Sequence, residues 1–143
     1  MIEKVQESHL YMWLKEKDSK FLSKLDETIE YANTILPQIN NVFASYTVHG
    51  VRHSINVMEY MYALVVDINK LSELEVALLI YSALLHDIGM IANVDEIKEI
   101  KADHAILGER KYSKVLEKYG DEMTALQECV RPVHGKRARD YIE

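Results

Sequence analysis

The stretch VALLIYSALLHDIGM, residues 76–90, decides how this chain is read. Its first ten residues, Val76 to Leu85, are the most apolar run in the sequence, and the run closes on a histidine and a carboxylate side by side, His86-Asp87. A charge placed there is costly unless it is paired or bound to a metal. Ser72 and Glu75 just upstream make a capping box, so a helix starts there and continues through Leu85, apolar on nearly all sides and hence central to a bundle. Gly89 marks its stop. Four further histidines, at 49, 53, 104 and 134, fall within reach of the same core, so that His9 alone of the six stands apart and reads as surface. Clustered imidazoles around a buried carboxylate point to a metal centre.

Outward from this stretch, apolar residues recur at spacings of three and four, strict alternation is rare, and no Asn-Gly or Asp-Gly hairpin signal occurs. The reading is an all-α helical bundle. Upstream, one amphipathic helix is expected over Val5 to Lys15. A second begins near Asp18 or Ser19, with Phe21, Leu22, Leu25, Ile29 and Ala32 on one face. Pro37 interrupts, and Gly50 makes a break before a helix whose stripe His53, Val57, Tyr60, Met61 and Leu64 points His53 at the core. Downstream, residues 94–101 read as a polar segment. Asp103 is expected to cap a helix carrying His104, Ile106, Leu107, Tyr112, Val115 and Leu116 that ends at Gly120. A last helix from Asp121 brings Met123, Leu126 and Val130 inward and delivers His134 near its end, with Pro132 as a local distortion.

With 143 residues the chain is sized for one domain, read as N-terminal helices over 1–42 and a metal-site core over 43–143. A net charge of -6 argues against the broad basic surface that nucleic acid requires as a main partner, while leaving room for a small phosphorylated ligand. The single cysteine, Cys129, cannot form an internal disulfide and fits a reducing, cytoplasmic setting. The longest apolar run is about half of the roughly 20 residues a membrane span needs, so no membrane partner is expected.

The order His53, His86-Asp87, His104, His134 resembles the HD superfamily of metal-dependent phosphohydrolases, in the branch that binds two metals. The strings TVHGVRHSINV (47–57), ALLHDIGM (83–90), DHAILG (103–108) and VRPVHGKR (130–137) are most similar to the HD-CE type of domain. That type is often joined to an ATPase module, so the resemblance implies such a module C-terminal to this chain. It implies that His53, His86 and Asp87 hold a first divalent ion and that Asp87 bridges to a second held by His104 and His134. It also implies hydrolysis of a nucleotide or other small phosphoester by metal-activated water, with Asp87 catalytic. An imidazole-rich set favours manganese, iron, cobalt or nickel over magnesium. Neighbouring ligands at 86 and 87 can serve one site only where the helix ends or distorts.

Two departures qualify the resemblance. The late aspartate that completes many such sites has only Asp140 as a candidate, six positions after His134. Either the chain ends before the domain does, the reading favoured here, or Asp140, Glu143 or water completes the site. Met90 stands where the cyclic-dinucleotide branch has lysine, which makes cyclic di-GMP a poor substrate. His49, four residues before His53, is assigned to phosphate binding or support of the ligands because Gly50 interrupts the helical spacing, and Arg137 is assigned to a phosphate oxygen. The rival readings are a non-catalytic metal- or nucleotide-binding regulatory module of a longer ATPase-containing protein, a di-iron oxygen-chemistry site, and a helical interaction domain with structural histidines.

Overall fold

A computed structural model describes residues 4–46 and 49–143. Thr47 and Val48, which open the string 47–57, lie outside the described residues. Among those described, the fold is all-α: α1 (His9–Glu16), α2 (Leu22–Ile35), α3 (Asn40–Phe43), α4 (Val51–Leu64), α5 (Glu73–Leu85), α6 (Val94–Lys101), α7 (Tyr112–Tyr119), α8 (Glu122–Val130) and α9 (His134–Ile142), with short 3-10 turns between several of them. No single helix is long and apolar enough to cross a membrane. The chain divides into two compact units, Met1–Thr34 with Val48–Leu85, and Ile35–Thr47 with His86–Glu143.

The first unit contains α1, α2, α4 and α5. The helix expected over Val5 to Lys15 is broken at Ser8, whose extended backbone leaves a 3-10 turn before it and whose Oγ accepts from the Tyr11 amide at the start of α1. Leu10, Leu14, Leu25, Ile29 and Ala32 are buried as their spacing requires. Polar ties seal the edges: Tyr11 Oη donates to Asp26 at 2.8 Å, Ser19 Oγ to Glu73 at 2.7 Å, and Trp13 Nε1 to Asn69 at 3.3 Å. His9 is exposed, yet its Nδ1 lies against Glu59 and its ring stacks on Tyr62.

Two expectations for this unit need correction. The buried line of α4 runs through Ser54 and Met58, one position along from the stripe read in the sequence, which leaves Tyr60 and Leu64 exposed and His53 half-buried at the margin. Helix α5 buries Val76, Ala77, Ile80, Ala83 and Leu84 but exposes Leu74 and Leu78, so it is not enclosed on all sides. Its start is as read: Glu75 accepts from Ser72 N at 2.7 Å, and Ser72 Oγ accepts from Glu75 N at 3.2 Å.

The second unit holds α3 and α6–α9. Phe43, Ile88, Ile100, Leu126 and Val130 form its core, and buried Gln127 donates to Val42 O at 3.0 Å. The segment 94–101, read as polar, is helix α6, capped by Asn93, whose side chain accepts from Glu96 N at 2.8 Å. Residues 103–111, read as the first part of a helix, form an irregular loop instead. Asp103 turns at φ +58°, and its carboxylate accepts from Ser113 N at 3.1 Å, so it caps α7 from ten residues away. Gly120 ends α7 in the left-handed conformation at φ +71°. Pro132 ends the following helix outright, and Met123 of that helix is exposed, so His134 opens α9 where it was expected to close α8.

Candidate metal centre

Helix α5 ends at Leu85 without a glycine cap, and the chain turns through His86 and Asp87 into a buried 3-10 turn, Ile88–Met90. This end of regular helix lets two adjacent side chains meet that a continuous helix would set about 100° apart. The Asp87 side chain is 13% exposed and that of His86 is 39% exposed, with His86 Nε2 3.0 Å from Asp87 Oδ2. His49 precedes α4, His53 lies in its first turn, and their rings meet edge to face at 5.4 Å between centroids.

His49 and His53 set two imidazoles beside each other in the first unit, Asp87 offers a carboxylate in the second, and among the described residues these three are the candidates to hold a metal ion. Two imidazoles and one carboxylate, with remaining positions left for water or substrate, are a donor set suited to a divalent transition metal.

His49, assigned from the sequence to supporting or phosphate contacts, thus stands among the candidate ligands. The i, i+4 spacing to His53 was its signal. His86 is outside the trio and meets the Asp87 carboxylate. His104 sits in the 103–111 loop, exposed, with Nδ1 3.3 Å from a Glu99 oxygen. His134 donates from Nδ1 to Arg131 O at 2.6 Å, which leaves Nε2 as the acceptor nitrogen of the neutral ring. Neither belongs to the trio. Asp140 lies beside Arg139 at 3.2 Å, and Glu143 reaches the same guanidinium at 3.9 Å; both are exposed.

Arg137 differs from its expected role. Its guanidinium donates from Nε to Gly89 O at 2.8 Å, from one terminal nitrogen to Glu96 at 2.6 Å and from the other to Ile91 O at 2.5 Å, with 12% of the side chain exposed. Those partners are parts of the fold, so phosphate would have to compete with them. Gly89 is likewise required for a reason the sequence does not display. It is not a helix stop; a Cβ at this position would lie 1.8 Å from His134 O and 2.7 Å from Ala138 N, so only glycine admits α9 this close.

The HD-CE family model matches residues 43–143, and the chain belongs to the HD-CE family. No curated protein and no solved structure matches it.

Proposed function

We propose that this chain is a metal-dependent phosphohydrolase domain that hydrolyses a nucleotide or another small phosphoester. The observation that carries the reading is that a chain of the HD-CE family offers His49, His53 and Asp87 as candidate ligands for a metal ion. A bound divalent ion supplies Lewis acidity toward a phosphoryl oxygen and lowers the pKa of a water. The protein's part is to hold that ion with two imidazoles and one carboxylate. His86 Nε2, beside Asp87 Oδ2 and partly exposed, is placed to take or return a proton at the edge of the site. His134, whose Nδ1 is engaged by a backbone carbonyl, offers Nε2 to a second ion, with His104 as its companion ligand. We place the chain in the cytoplasm, consistent with its lone, buried Cys129, and take an ATPase module as its partner in a longer protein.

The test is hydrolysis of a phosphodiester and nucleotide panel by protein stripped with chelator and reloaded with manganese, iron, cobalt or nickel. Metal-dependent turnover is expected, falling about 100-fold or more in Asp87→Ala, since several kcal/mol of Lewis-acid stabilisation are lost. A folded, metal-loaded protein inactive across the panel overturns the reading. The regulatory alternative rests on the trio being the one three-ligand group among the described residues, with Asp140 elsewhere. Calorimetric nucleotide binding without turnover would favour it.

A further inference from the structure

We propose that Arg137 is the positioning residue of the site: it fixes the turn that carries Asp87 and thereby holds the carboxylate where a cation can use it. The inference rests on the metal reading above. Asp87 leads directly into the 3-10 turn Ile88–Met90, and its own carbonyl accepts from Met90 N at 2.9 Å. A turn this short carries few hydrogen bonds of its own, and its outward carbonyls need partners. Arg137 supplies them from α9, donating to Gly89 O and Ile91 O on either side of Met90. Its remaining engaged nitrogen meets Glu96 of α6, so one planar group ties three segments of the second unit together. The close seat of α9 on Gly89 gives the fork its reach.

The chemistry selects arginine. Three donors must leave one rigid plane in different directions, which a lysine ammonium on a flexible stem cannot reproduce. The carboxylate of Glu96 balances the buried charge, so the clamp does not draw on Asp87 for its counter-ion. The site chemistry therefore depends on a residue that contacts neither ion nor substrate.

The experiment compares wild type with Arg137→Lys, Arg137→Ala and, as a control destabilised in the same unit, Leu126→Ala. Amide hydrogen exchange at Met90 and Ile91 and the cobalt(II) dissociation constant, followed by the d–d absorption of the bound ion, are the two readouts. Both Arg137 variants are expected to lose protection at those amides and to bind cobalt at least 10-fold more weakly. Leu126→Ala, although less stable, keeps the wild-type affinity. Millimolar ethylguanidinium added to Arg137→Ala restores both signals. Unchanged exchange at Met90 and Ile91, or unchanged cobalt affinity in both Arg137 variants, overturns the proposal, as does an equal loss of affinity in Leu126→Ala. If wild-type protein takes up no cobalt, the metal reading and with it the role of this clamp at a metal site fall together, whereas weak binding confined to the Arg137 variants leaves the metal reading standing.

Discussion

Substituting Gly89 by alanine adds one methyl group and should rank among the most damaging small changes available to this chain. The new Cβ would stand 1.8 Å from His134 O and 2.7 Å from Ala138 N, both backbone atoms that no side-chain rotation can move aside. Ordinary contact is about 3.5 Å, so α9 must retreat by roughly 1.5 Å. Such a shift carries the Arg137–Gly89 hydrogen bond from 2.8 Å past the distance at which it still holds. Overpacking alone costs about 1–3 kcal/mol. Loosening a largely buried ion pair adds part of the roughly 3–5 kcal/mol that a full break costs, discounted because Glu96 is partly exposed. The sum is about 3–5 kcal/mol, or some 10–20 °C in the unfolding midpoint of a domain this size. Urea denaturation followed by circular dichroism reads it directly. Gly135→Ala, one residue into α9 with open space around its Cβ, is the control and should be neutral to stabilising by up to about 1 kcal/mol. Equal stability of Gly89→Ala and wild type would refute the close-approach reasoning.

Acid sensitivity should come in part from the capping carboxylates. Hydrogen bonds from Ser72 to Glu75, from Ser113 to Asp103 and from Thr124 to Asp121 hold all three carboxyls below their ordinary values. Each is lowered in the folded state, so its contribution is present above the unfolded carboxylate value near 4 and disappears as pH falls through the lower folded value. An Asp103→Asn, Asp121→Asn double variant, which keeps amide oxygens as caps but removes two titrations, should show a flatter fall in thermal midpoint between about pH 5 and 3; an unchanged slope would count against this assignment. Cys129 is fully buried, and burial pushes its thiol up, so native protein should react with a thiol reagent only as fast as it opens. Rapid stoichiometric labelling at pH 8 without denaturant would contradict that burial.

The legible parts of the fold are those where one local signal outweighs the rest. The Ser72–Glu75 box, the Asp121 start of α8 and the Gly120 end of α7 were readable because capping chemistry involves neighbouring residues. The phase of α4 was not, because VRHSINVMEYMYAL is apolar around much of its circumference and more than one stripe fits. Helix α6 offered just three apolar residues, Val94, Ile97 and Ile100, yet Asn93 before Asp95 and Glu96, with Lys98 and Lys101 following, was a usable cap-and-dipole signal. Asp103 has the right chemistry for a cap but serves a helix ten residues on, since its left-handed backbone is set by the loop and not by its own side chain. At the site, His53 and Asp87 stood out from burial and pairing. The contact of His86 with Asp87 follows from where α5 ends, and the three-way use of Arg137 depends on contacts more than 40 residues away in sequence.

That separation also has a temporal side. Gly89 and Arg137 lie 48 positions apart, so a ribosome adding about 5–20 residues per second delivers the guanidinium roughly 2–10 s after the segment it must fasten. Over that interval the turn that follows Asp87 lacks the hydrogen bonds that Arg137 gives to Gly89 O and Ile91 O. On the proposed role of Arg137, the turn after Asp87 would be fastened only once α9 has been synthesised and seated, and uptake of a cation would then be a late step in maturation.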